Sequence, residues 1–130
     1  MFKYIRTLNA CSGIVETFNL PAPISEDMQC DVGTICCIDD GRLSSAKSDN
    51  GAKYLVLSNP NKKGEQTCLR IMPGMILEAE AYFNANDCKV GDGVTFIVSP
   101  ANRVDCVELG GTDGEIIAKS LSNTVTIIVH

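Results

Sequence analysis

Short apolar runs alternate with polar turn dipeptides along most of this chain. Seven runs are rich in Val, Ile, Thr and Cys and read as β-strands: 34–38, 53–57, 67–71, 94–98, 104–109, 115–118 and 124–129. Between them lie Asp-Gly, Asn-Gly, Pro-Asn and Gly-Gly pairs, which supply the backbone angles of tight turns. The pattern predicts an all-β, mainly antiparallel fold, either a small β-barrel or a sandwich (β-tulip-like), with no βαβ units.

The run MILEAEAYFN at residues 75–84 fits two kinds of element. Its residues are good helix formers, yet Leu77, Ala79 and Ala81 alternate with Glu78 and Glu80, which is the period of a strand. Because every neighbouring run is β, we interpret this segment as a strand.

The run CDVGTICCIDDGRL raises the question of a thiol site. It is best explained by a strand at 34–38, a turn at Asp39-Asp40-Gly41 and a second strand from Arg42. Adjacent residues of a strand point to opposite faces, so Cys36 and Cys37 cannot easily chelate one ion.

Two stretches of the chain share an outline of glycine, strand, polar turn, arginine, a second turn and another strand. The matched pairs are Gly33 with Gly93, Arg42 with Arg103 and Gly51 with Gly114. A single β-domain at 29–130 could therefore contain two pseudo-repeated halves, 29–77 and 88–130. Any β-meander with glycine turns would give a similar outline, so both interpretations stay open.

The first 28 residues differ from the rest, because their apolar residues are followed by Pro21 and Pro23. Proline lacks an N–H group and resists helices and central strands. We therefore expect residues 1–28 to form an extended N-terminal arm or edge segment. Its apolar side chains would cover either the chain's own core or a neighbouring subunit. The residues expected to contact a partner are Phe2, Tyr4, Ile5 and Leu8.

Composition narrows the class of protein. The chain has 130 residues, enough for one domain, and 45% of them are hydrophobic, which suffices for a core. Its net charge of −5 argues against nucleic acid or an anionic membrane as a partner. The N-terminal residues lack a signal-peptide pattern, and no stretch approaches about 20 apolar residues. We expect a protein made in the cytoplasm.

The residues that usually carry chemistry do not form a catalytic set. The seven cysteines include no C-x-x-C pair, so we expect no structural metal, and most read as small core hydrophobes. The single histidine is His130, the last residue of the sequence, and this position makes a catalytic Cys–His or Ser–His pair improbable. No motif indicates a cofactor, and we expect a non-enzymatic protein.

Asp31 is the one carboxylate with a motif-like context. Residues 31–34, DVGT, resemble the Asp-Ser/Thr-Gly motif of retroviral-type aspartic proteases, and 115–119, EIIAK, resembles their late Ile-Ile-Gly-Arg stretch. Val32 and Ala118 depart from that pattern where it is strict. Membership would imply a dimeric protease that pairs two Asp31 carboxylates, which is a minor alternative.

A second resemblance covers most of the chain after residue 28. The segments DVGTI and DGRL, MPGMILE, KVGDGV with NRV, and GEIIAKSL with the last strand resemble small β-barrel head decoration (cement) proteins of tailed bacteriophages. Ala118 replaces the usual glycine of the late step.

This resemblance implies a viral structural protein that decorates and stabilises the outside of a capsid by bridging coat subunits. Its partners would be the major capsid protein and neighbouring copies of itself, with a homo-oligomer possible. It would reside on the virion after assembly in the host cytoplasm. The alternative is a phage tail or head–tail component, or another small β-barrel binding module.

Overall fold

The computed structural model describes residues 1–7, 16–24, 30–45, 52–98 and 103–130, and these are almost entirely β. They contain no α-helix and one short 3₁₀-helix, Ala85–Asp87. The strands are β1 Lys3–Thr7, β2 Thr17–Pro21, β3 Ile35–Asp39, β4 Arg42–Ser44, β5 Tyr54–Val56, β6 Glu65–Arg70, β7 Met75–Ala81, β8 Gly93–Val98, β9 Val104–Leu109, β10 Gly114–Lys119 and β11 Thr124–Val129.

The C-terminal half closes into a five-stranded barrel. Its strands follow the order β7-β11-β10-β8-β9, and each neighbouring pair is antiparallel. A short parallel ladder, in which Glu80 pairs with Cys106, joins β9 back to β7. Strand β1 pairs with the first part of β7, along the edge that β9 leaves open. The predicted all-β barrel fold is therefore confirmed.

The N-terminal half has the same strand order and connectivity. Strands β2 to β6 follow the order β2-β6-β5-β3-β4, again with antiparallel neighbours. This order matches that of the barrel when β2, β6, β5, β3 and β4 are equated with β7, β11, β10, β8 and β9, respectively. Here β2 and β4 lie side by side without a ladder, and Arg42 Nη1 donates to the carbonyl of Ala22 at 3.1 Å. The structural units run from 17 to 70 and from 75 to 129, and β3 joins them by pairing with β9.

Strands β3 and β5 are buried on both faces over residues 35–37 and 54–56, which explains the unbroken apolar runs there. Strand β6 is buried at Gln66, Cys68 and Leu69. One face sends Ile35, Leu55 and Leu69 into the large core that fills the barrel, called here the barrel core. The other face contributes to a separate cluster, the second core. Its buried members are Cys30, Cys36, Leu43, Tyr54, Val56 and Cys68.

Several local predictions are confirmed. The ambiguous segment begins with strand β7, Met75–Ala81. The β3–β4 turn places Asp40 and Gly41 at φ values of 50° and 75°, as a tight two-residue hairpin turn requires. Cys36 and Cys37 lie on opposite faces of β3: Cys36 belongs to the second core, whereas the Cys37 thiol donates to the carbonyl of Ser44.

Residues 1–28 contribute β1 and β2, the two ends of the strand path. Residues 8–15 and 25–29 lie outside the described residues. Of the two surfaces considered for the aromatic residues of this segment, Phe2 covers the chain's own core. Its ring packs edge-on against Phe96, with centroids 5.2 Å apart.

Candidate partner-binding surface

The turn between β10 and β11 presents the most exposed large apolar side chain among the described residues. Leu121 is 90% exposed. It precedes Ser122 and Asn123, whose φ values of 66° and 56° lie in the left-handed region that turns use. A leucine projecting from such a turn buries apolar surface only if a partner covers it.

Asn123 fixes this turn to the end of β7. Its side-chain amide donates to the carbonyls of Ala81 and Phe83, at 3.1 and 2.8 Å, and its Oδ1 accepts from the Ala85 amide at 2.7 Å. The Asn123 carbonyl accepts from the Ala81 amide at 3.1 Å. Four hydrogen bonds therefore hold the tip, so a partner would meet Leu121 with little ordering cost.

Tyr82 lies beside this anchor, between two residues that Asn123 binds, and is 53% exposed. An open depression next to the turn is lined by Glu78, Lys119, Ser120, Leu121, Ser122 and Thr124. We call Tyr82, Leu121 and this depression the hairpin-tip surface. An aromatic and an aliphatic side chain beside a polar rim is a common composition of protein-binding surfaces.

Sequence reasoning missed both residues. Leu121 stands in Ser120-Leu121-Ser122-Asn123, where turn chemistry predicts polar side chains, and that mismatch was the available signal. Tyr82 comes two residues after Glu80 in the alternating pattern of β7. It therefore falls on the same face as Glu78 and Glu80, which the pattern predicts to be exposed to solvent.

The residues predicted to contact a partner have different environments. Phe2 is buried, and Tyr4 is half-buried with its hydroxyl 2.7 Å from Thr7 Oγ1. Ile5 is 44% exposed, whereas Leu8 lies outside the described residues. The structure thus leaves Ile5 as the one described member of this set with a largely accessible side chain.

Strand β1 has features that discourage pairing with another sheet. Its ladder to β7 is interrupted between Tyr4 and Arg6, and the exposed side chains Lys3 and Arg6 flank the interruption. Bulges and cationic side chains are common protections of sheet edges. The side chain of Ile5 therefore lies at a guarded edge, which directs attention to the hairpin-tip surface instead.

A polar cleft of about 180 Å³ lies where the two units meet. Within it, Asp113 accepts from Thr95 Oγ1 at 2.8 Å, the Phe96 amide at 2.9 Å and Lys53 Nζ at 3.4 Å. Burial opposes ionisation of this carboxyl, but these donors outweigh it and hold the pKa of Asp113 below its usual value. Arg70 and His130 also line the cleft, and His130 Nε2 lies 3.4 Å from Glu115.

Asp31, the carboxylate with the protease-like sequence context, has a partly exposed side chain. Asp31 forms an ion pair with Arg103 at 2.6 Å, so its carboxylate already has a charged partner. A protease dyad instead needs two carboxylates close enough to share a proton. In the same described ranges, no group of three or more His, Cys, Asp or Glu residues is arranged to hold a metal ion.

The second core collects three thiols, those of Cys30, Cys36 and Cys68. A hydrogen bond between the side chains of Cys30 and Cys36 raises the pKa of Cys30 and lowers that of Cys36. Burial raises the pKa of Cys68 to about 12. Cys88 and Cys106, by contrast, belong to the barrel half and are also buried. Cys11 lies outside the described residues.

Comparisons with protein-family models, curated proteins and solved structures found no match to this chain. In the part of the chain that the structure describes, no helix has the length and apolar character needed to cross a bilayer.

Proposed function

We propose that this chain is a non-enzymatic structural protein that decorates a phage capsid and stabilises it by bridging coat subunits. The observation that carries the proposal is Leu121, 90% exposed on a turn that Asn123 fixes to the barrel. A rigid apolar projection suits docking onto a preformed surface, because little conformational entropy is lost on binding.

The scaffold fits a load-bearing role. Two cores share the strands β3, β5 and β6, so the chain offers a stiff block rather than a hinged pair. Many copies on one particle would act together, since each bound subunit raises the local concentration of its contacts. The acidic net charge of −5 further suggests a protein partner instead of a nucleic acid.

The test is co-sedimentation of the purified protein with phage capsids that lack it, reading mass per particle at saturation. We expect saturation at a fixed, symmetry-compatible number of copies, because equivalent coat sites are limited in number. Absence of binding to capsids would overturn the decoration role. Binding to isolated tails alone would favour the tail or head–tail alternative.

A matched pair of variants tests the surface. Leu121→Ser should weaken capsid binding at least tenfold, a loss that is typical of a central apolar anchor. Ile24→Ser is the control, because Ile24 is 83% exposed but follows β2 in the other unit. Equal loss of binding in the two variants would contradict the assignment of the hairpin-tip surface.

A further inference from the structure

Two cysteines of the second core are brought together by a turn and a strand. Cys36 lies on β3, and Cys30 precedes the turn in which the Thr34 amide donates to the Asp31 carbonyl at 3.1 Å. The turn reverses the chain, so both side chains enter the same apolar cluster. Gln66, itself buried, donates to the Cys30 carbonyl at 2.7 Å and fixes that end.

Cys30 and Cys36 belong to one buried cluster, and a hydrogen bond between their side chains raises the pKa of Cys30 and lowers that of Cys36. The Thr34 hydroxyl lies 3.6 Å from Cys36 Sγ and adds a second polar neighbour. The hydrogen bond with Cys30 lowers the pKa of Cys36 and so favours its thiolate form, which is the form that reacts with oxidants. Cys36 is therefore the nucleophile of the pair, and Cys30 is the neighbour that can complete a bond.

We propose that Cys30 and Cys36 are an oxidisable dithiol that hydrogen peroxide converts into an intramolecular disulfide. In the first step the Cys36 thiolate attacks one peroxide oxygen, and hydroxide leaves. The Cys36 sulfenic acid is then attacked by Cys30, whose proton leaves with the departing hydroxyl as water. Overall, two thiols and one peroxide give one disulfide and two waters.

The neighbouring thiols are poorer candidates for either step. Cys68 donates to the Gln66 carbonyl at 3.6 Å, and burial raises its pKa to about 12, so it stays protonated. Cys37 lies on the opposite face of β3 and donates to the Ser44 carbonyl at 3.7 Å. Contact and thiolate character together select Cys30 with Cys36.

Burial sets the rate of oxidation without changing its product. Cys30 and Cys36 are 5% and 2% exposed, so peroxide reaches them only when the structure opens locally. Oxidation should therefore be slower than that of an exposed thiol. Once formed, the disulfide would close a short loop and raise the melting temperature by about 5 °C.

The experiment treats the folded protein with hydrogen peroxide, then unfolds it and blocks the remaining thiols by alkylation. We expect two fewer alkylated cysteines than in the untreated protein, with no added oxygen. Cleavage before aspartate separates Cys30, in peptide 27–30, from Cys36, in peptide 31–38. A disulfide between these residues joins the two peptides, and fragmentation distinguishes Cys36 from Cys37.

Matched variants complete the test. Cys36→Ser and Cys30→Ser should abolish the linked peptide, whereas Cys37→Ser should retain it. The wild-type peptide map needs no variant and remains decisive if a serine variant fails to fold. A disulfide to Cys37 or Cys68, or oxidation to sulfinic acid without a linked peptide, would overturn the proposal. Peroxide that leaves all thiols alkylatable would overturn it too.

Discussion

Lys53 and Asp113 form an ion pair between equivalent positions of the two units, with Lys53 Nζ 3.4 Å from Asp113 Oδ1. Lys53 directly precedes β5, and Asp113 directly precedes β10, which is the counterpart of β5 in the barrel. Lys53 Nζ also lies 5.3 Å from the centroid of the Phe96 ring. One charged pair therefore spans the junction of the two units.

Asp113→Asn should lower the free energy of unfolding by about 1 kcal/mol at pH 7, because its hydrogen bonds lose their charge assistance. The pKa of Asp113 is lowered in the folded chain, so its stabilisation is fully present above the unfolded value of about 3.9. That stabilisation is lost as pH falls through the folded pKa.

Urea unfolding of both proteins from pH 7 down to pH 2 measures this dependence. The difference between wild type and variant should shrink below about pH 4. Asp87→Asn is the control, since Asp87 is an exposed carboxylate of the 3₁₀-helix. A difference that stays constant across the whole range would contradict an ionised, hydrogen-bonded Asp113.

Phe2→Ala should destabilise the fold by about 3–5 kcal/mol, because it leaves a cavity beside Phe96 in the barrel core. Thermal unfolding followed by circular dichroism measures the change. Ile5→Ala, three residues further along and 44% exposed on β1, should cost under about 1 kcal/mol. Similar small effects in both variants would mean that residues 1–7 contribute little to the core.

Asn123→Ala should cost about 2–3 kcal/mol, because three side-chain hydrogen bonds are lost and alanine is strained at a φ of 56°. Asn123→Gly loses the same bonds but accepts this backbone conformation, so it should cost about 1 kcal/mol less. Chemical unfolding of both variants separates the two contributions. Equal losses would show that backbone strain plays no part.

Gly93→Ala should cost about 1–3 kcal/mol, because the added methyl group would overlap the carbonyl oxygen of Gly111. A backbone atom cannot move aside as a flexible side chain can. Gly64→Asn is the comparison: its Cβ would meet open space, and asparagine tolerates the φ of 75° found there. Stability curves in urea should therefore shift for the first variant and hardly for the second.

Most of the barrel was predictable from local pattern. The alternation of Leu77, Ala79 and Ala81 with glutamates outweighed helix propensity and gave β7. The Asp40-Gly41 turn followed from its residue types. These features are encoded within a few residues of one another, so sequence reading reaches them.

Features that depend on distant pairing were not predictable. Nothing near Phe2 indicates that Phe96 will cover it, and nothing near Cys30 or Cys68 indicates that they share a cluster with Cys36. The polarity of a turn likewise gives no sign that Asn123 will brace Leu121 against β7. Such contacts depend on how the strands are ordered in space, which the periodicity of single strands does not encode.

Strands β3, β5 and β6 form a sheet that packs against the barrel core on one face and against the second core on the other. Cutting the chain in the linker at 71–74 would deprive the barrel of Ile35, Leu55 and Leu69 and leave the other half with one bare face. Although the two halves have the same strand connectivity, we expect that neither folds without the other. A destabilising substitution in either half should therefore weaken the shared sheet and with it the other half. The protein should unfold in a single cooperative transition.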